Sequence, residues 1–186
     1  MDLNNFRDRA YKNAVVHGWH EENLSNEHYL CLVMSELMEA VEADRKGMYA
    51  NRKQFDNYMS VRKRSDDEFI YAFKYDIKDS FEDELADACI RLFDLAGLRG
   101  ERITYIDSFC VPQLKASFTE YIYALCSFIT NPDKSDKAWW LLQHINYCLG
   151  WIFSWCKDKN IDIMWYIEQK MKYNELRPYK HGNKKY

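Results

Sequence analysis

The chain is expected to be all-α, a helical bundle in one domain spanning residues 1–186, and three features of the sequence say so. Glycine and proline are scarce, 6 and 3 residues respectively, too few for the many turns of an all-β fold. Hydrophobic residues make up 47% and aromatics 16%, enough to bury a core and too many for a disordered chain. Apolar residues recur at helical spacing over long stretches that end at capping residues or glycines.

The elements follow in order. Residues 2–16 read as a first helix, stopped near Gly18. Ser25 can cap a second, with Glu27 and His28 in its first turn, and Gly47 ends it. Its apolar stripe is Leu30, Val33, Met34, Leu37 and Val41. Residues 48–77 are polar and aromatic without a clear period, and 61–68 is a run of charges. This stretch reads as a long polar loop with room for one short helix. The next helix is expected from about Asp79 to Leu98, with Phe81, Leu85, Ala88, Leu92 and Ala96 facing the core and Gly97 and Gly100 closing it. Three helices follow, at 113–129 up to Asn131-Pro132, at 135–158 from Ser135, and at 161–176 before Pro178. Residues 178–186 form a basic tail.

Two acidic steps stand out, Glu36-Leu-Met-Glu39 and Glu84-Leu-Ala-Asp87. On a helix, residues three apart are surface neighbours. Two such helices facing each other would gather four carboxylates, which do not ionise together without a cation between them. A hard, oxygen-seeking ion such as Mg²⁺, or Mn²⁺ in its place, would serve. Against this stands the common alternative. The chain has 29 acidic residues, so an acid three residues from another is ordinary, and a solvated helix face explains it. Apolar residues flank both pairs on the wheel, Leu32, Ala40 and Ala43 for one and Ile90, Leu95 and Leu98 for the other. Such helices pack on two neighbours. The pattern alone leaves both readings open.

Composition narrows the partners. A net charge of −3 gives no broad attraction to nucleic acid or an anionic membrane. No apolar run is long enough to span a bilayer, and the first ten residues lack an apolar signal core, so a cytoplasmic location is expected. The six cysteines, Cys31, Cys89, Cys110, Cys126, Cys148 and Cys156, make no CxxC pair and read as reduced core residues. Glycine-rich phosphate loops are absent.

The motifs resemble those of the MazG-like, all-α NTP pyrophosphohydrolases of the short phage and bacterial type. HGWHEEN (17–23) resembles that family's leading segment, and VMSELMEAVEADRKG (33–47) its ExxE helix. DSFEDELADACIRLFDLAG (79–97) resembles its ExxD helix, and KMKYNELRPYKHGNKKY (170–186) its closing element. Together these cover about half the chain. Three departures are visible. Ser35 stands where fuller members have another Glu, the gap from Glu39 to Glu84 is long, and residues 101–157 look like an inserted helical pair.

The resemblance implies Mg²⁺ held by Glu36, Glu39, Glu84 and Asp87. It also implies cleavage of a nucleoside triphosphate to the monophosphate and pyrophosphate, possession of a general base among Glu36 and Glu39, and a homodimer or homotetramer. It favours Lys170, Asn174 and Arg177, at i, i+4 and i+7 on the last helix, as a phosphate and nucleoside clamp over plain helix-end cations. Trp19 is a candidate stacking partner for the base, Arg91 a simple partner of Asp87, and the stripe of Trp140, His144, Cys148, Trp151 and Trp155 packing. Two other classes compete. A di-iron bundle needs Glu-x-x-His, which occurs at none of the five histidines. A non-catalytic helical module binding metal, nucleotide or another protein would keep the fold without turnover.

Overall fold

A computed structural model describes residues 2–22, 24–104, 116–135 and 139–180. Eight helices and no strand occur among the described residues: α1 (Leu3–Val16), α2 (Asn26–Lys46), α3 (Arg52–Ser60), α4 (Asp66–Asp76), α5 (Phe81–Arg99), α6 (Phe118–Thr130), α7 (Trp140–Asp158) and α8 (Ile163–Glu175). The all-α expectation holds. No helix among the described residues is long and apolar enough to cross a membrane.

Local chemistry sets the ends. Ser25, Ser80 and Ser117 accept hydrogen bonds from backbone N–H groups in the first turns of α2, α5 and α6, satisfying donors that have no partner inside the helix. Gly47 (φ 67°) and Gly100 (φ 71°) end α2 and α5 in the left-handed region, where a side chain would be strained. Gly97 does not close α5. It lies inside the helix where α1 crosses, and a Cβ there would meet Tyr11 Cβ at 2.5 Å.

The stretch 48–77 is not a long loop. Asn51 caps α3, and Ser65 with Glu68 forms a capping box at the start of α4. Phe55, Phe69, Ala72 and Phe73 are buried, and the charge run is the connection between the two helices together with the acidic first turn of α4. α7 begins at Trp140 rather than Ser135, with 136–138 outside the described residues. The predicted start of the 113–129 helix also lies partly outside them, and α6 begins at Phe118.

α5 is the central helix, with Leu85, Ala88, Cys89, Leu92, Phe93 and Leu95 at most 1% exposed. α2 runs antiparallel to it: Arg99 donates to Leu24 O and Asn26 Oδ1 at one end, and Phe81 N donates to Met48 O at the other. α1 is antiparallel as well, because Asn4 and Arg7 reach the carbonyls of Ile103 and Glu101 just past the end of α5. α8 covers a third side and is tied to α1 by Arg9, which pairs with Glu168 and Glu175. α3 and α4 brace α8 through the Phe73–Tyr173 stack and the Phe55–Trp165 contact.

α6 and α7, the inserted pair, pack on each other and on α2 and α5, with Tyr121 Oη donating to Trp151 O at 2.7 Å. His144 is buried and bonded to Ile129 O, the packing role expected of it. Cys89, Cys148 and Cys156 are buried, and burial pushes their thiols up. Cys110 lies outside the described residues.

Candidate functional site

The four central helices α1, α2, α5 and α8 enclose a cavity of about 300 Å³. No described residue of α6 or α7 lines it, so the insert thickens the bundle on the far side. The cavity wall includes all eight residues singled out from the sequence: Trp19, Glu36, Glu39, Glu84, Asp87, Lys170, Asn174 and Arg177.

The four acids are not equivalent. Carboxylate oxygens of Glu36, Glu39 and Glu84 lie within 4.8 Å of one another. Asp87 is not in that set. Its Oδ2 is 2.8 Å from Lys170 Nζ. Glu36 and Glu84 are buried and Glu39 exposed. Burial, with Asp87 and Glu39 adding repulsion and Arg91 offsetting it, pushes the Glu36 carboxyl up to about 7. Burial also pushes Glu84 up, to about 8, with Lys170 opposing and the charges of Asp87, Asp83 and Glu39 adding. These are carboxylates short of positive charge.

Arg91 bonds Glu36 and acts on Asp87 only through its charge. Its Nε and Nη2 both lie 3.0 Å from Glu36 Oε1, which leaves Glu36 Oε2 to the cavity.

Lys170 is buried at 4% exposure. Its ammonium sits 2.6 Å from Asp83 Oδ2 and 2.8 Å from Asp87 Oδ2. The reading as an open phosphate grip therefore gives way to an internal cation. Its own burial works against its charge, but the two carboxylates outweigh that and hold its pKa high. Lys170 in turn holds Asp87 below its usual range against the cost of burial. Asp83 is wholly buried, and its Oδ1 has no hydrogen-bond partner among the described residues. Oδ2 also accepts from Asp79 N at 3.0 Å.

Arg177 lies two residues past the end of α8 rather than on its face. It lines the cavity, its guanidinium lies 5.7 Å from the centre of the Tyr173 ring, and its charge helps hold the Asp87 carboxyl low. Asn174 is buried with Oδ1 unpartnered among the described residues. The segment after α8 docks on the α1–α2 connection. Lys180 N donates to His17 O, His17 Nε2 meets Arg177 O, and Tyr179 and Lys180 both bond Glu21. Residues 181–186 of the basic tail lie outside the described residues.

Asp83 and Asp94 went unnoticed in the sequence. Asp83 stands in the run Glu82-Asp83-Glu84, four residues before Asp87, and that spacing could have marked it as a second acid on the Lys170 side. Asp94 continues the line Asp87, Arg91, Asp94 along one face of α5. It accepts from His20 Nε2 at 2.7 Å.

The donor set suits a hard divalent cation. Three clustered oxygens, two of them on buried carboxylates whose protons are held unusually tightly, form a site that repels itself when deprotonated and gains by binding positive charge. The fold and site define a class, an all-α bundle with an acidic central cavity edged by cations. No family model, curated protein or solved structure matches the chain.

Proposed function

We propose that the protein is a Mg²⁺-dependent nucleoside triphosphate pyrophosphohydrolase, releasing pyrophosphate and a nucleoside monophosphate. The convergence of Glu36, Glu39 and Glu84 oxygens within 4.8 Å, in a cavity that also presents Arg177, carries the reading. Glu36, Glu39 and Glu84 would hold the ion, with Asp87 at the edge. When bound, Mg²⁺ neutralises phosphate oxygens and makes a water acidic enough to attack.

The chain's own residues supply the rest. Arg177 can take phosphate oxygens with its planar fork of donors. Lys170 stays with Asp83 and Asp87 and fixes the orientation of Asp87. Arg91 holds Oε1 of Glu36, so Oε2 is the atom available to the ion, and the second carboxylate oxygen of Glu39 takes the proton from the attacking water. Water attacks the α-phosphorus, the bond to the bridging oxygen breaks, and pyrophosphate leaves. Trp19 offers a face for the base.

A second reading, a non-catalytic helical module, draws on one observation: Arg91 and Lys170 already satisfy part of the acidic cluster from within the protein. The deciding experiment is a screen of standard and modified dNTPs and NTPs with Mg²⁺ or Mn²⁺, reading pyrophosphate, monophosphate and inorganic phosphate separately. Divalent-dependent pyrophosphate from at least one nucleotide is expected. Inorganic phosphate alone, or no turnover, favours the module.

A further inference from the structure

The cavity continues beyond the acids along α5. Asp94 lies seven residues past Asp87, about 10 Å along the helix axis. That is the order of the distance from a nucleotide's 5′-phosphate to the outer edge of its base. The opposite wall there is α1, where Ala10 and Ala14 stand with Asn13 between them, and Trp19 lines the same cavity. Ala10 and Ala14 bring only methyl groups to that wall, so this end of the cavity is a slot between α1 and α5.

Asp94 is held in one orientation. A carboxylate only accepts, so His20 Nε2–H donates to Asp94 Oδ1 at 2.7 Å. His20 is itself fixed, by Tyr29 Oη at 3.3 Å from Nδ1 and by ring contacts with Tyr11 and Tyr29. Among the described residues no donor but His20 bonds the Asp94 carboxylate. Arg91, the nearby cation, bonds Glu36 instead. A mostly buried acceptor thus faces the slot with capacity to spare, and leaving it unmatched against a bound ligand is costly.

We infer that Asp94, oriented by His20, reads the edge of the nucleobase and selects bases that carry an exocyclic amino group over their keto counterparts. The inference rests on the nucleotide reading of the site. An amino group donates to the free oxygen of Asp94, whereas the keto oxygen of uracil or hypoxanthine meets it as acceptor against acceptor.

The test uses size-matched pairs, dCTP against dUTP and dATP against dITP, with Mg²⁺. The parent should favour the amino member by about tenfold or more in kcat/KM in whichever pair it accepts. In Asp94→Asn the Nε2–H of His20 still demands an acceptor, so the amide oxygen turns to it and the NH₂ faces the slot. The preference should then reverse toward the keto member. Equal use of both members by the parent, or an Asp94→Asn variant with the parent's preference, would overturn the assignment. If Asp94→Asn fails to fold, His20→Leu serves instead and should erode discrimination, and full retention counts against the inference. If the parent turns over no nucleotide, calorimetry with dCMP, dUMP, dAMP and dIMP in Mg²⁺ separates the two ideas. An amino preference in binding keeps the role of Asp94 while the hydrolase reading falls, and no preference removes both.

Discussion

One helix, α5, carries two sets of acids within a single turn, and the protein treats them differently. Asp83 and Asp87 share a cation that belongs to the chain, Lys170, buried between them. Glu84, with Glu36 and Glu39 across from it on α2, has no such partner beyond the one-sided hold of Arg91 on Glu36. The first set has one ammonium for two carboxylates: Lys170 holds Asp87 low, while burial still pushes Asp83 up to about 6. The second set has no buried cation between its members, and burial with mutual repulsion pushes Glu36 and Glu84 further up, to about 7 and about 8. The difference separates acids tied to a buried cation from acids left largely to one another, a distinction that acid spacing alone does not make.

The largest effect should come from removing the internal cation. Lys170→Met leaves Asp83 buried and unpaired, which costs about 3–5 kcal/mol, or about 10 °C in Tm for a chain of this size. Thermal melts measure it, and a melt within two degrees of the parent would mean that Lys170 does not bind the two helices.

A matched pair of amide swaps sharpens the contrast. Asp87→Asn loses a charged partner of Lys170 and should be destabilised by about 2 kcal/mol in EDTA. Glu84→Gln relieves repulsion and should be as stable as the parent or more so in EDTA. With millimolar Mg²⁺ the parent should gain stability by mass action and Glu84→Gln should gain less. Equal behaviour of the two variants in EDTA would erase the distinction between the sets.

Arg177→Ala should lower kcat/KM about tenfold, near 1.4 kcal/mol, with part of the loss in KM because a phosphate contact acts in ground and transition states alike. Helicity by circular dichroism should not change. Unaltered kinetics would confine Arg177 to the end of α8.

The remaining effect is a pH trend. Glu36 and Glu84 have folded-state values raised to about 7 and about 8, so the folded state binds protons that the unfolded chain has released. Their stabilising contribution is whole below the ordinary glutamate range and is lost as pH rises toward 8. In EDTA, Tm should fall between pH 5 and 8, and the gain from Mg²⁺ should grow over the same window. A flat profile would show that the second set is solvated after all.

Much of this could be read from the residues. Ser25 with Gly47 and Ser80 with Gly100 bracket α2 and α5 because a cap and a left-handed stop are local events, and the apolar stripe of α5 is buried as its spacing requires. α3 and α4 were hidden because a few aromatics carry their core contacts amid dense charge, although Ser65 and Glu68 already spelled a capping box. The eight site residues do meet in one cavity. Their partners were not legible. Lys170 finds Asp83 and Asp87, and Arg91 finds Glu36 across 55 residues of chain. Such choices depend on how helices face each other, which no spacing within one helix encodes.

The close approach at Gly97 extends this to engineering. Tyr11 rests where a Cβ of residue 97 would stand, and the same pair of helices, further along, walls the cavity with Ala10, Ala14 and Asp94. The gauge of the slot is therefore set outside it, at a contact no ligand touches. Gly97→Ala would act as a shim, prying α1 from α5 and altering which molecules fit while every residue of the lining stays as it was.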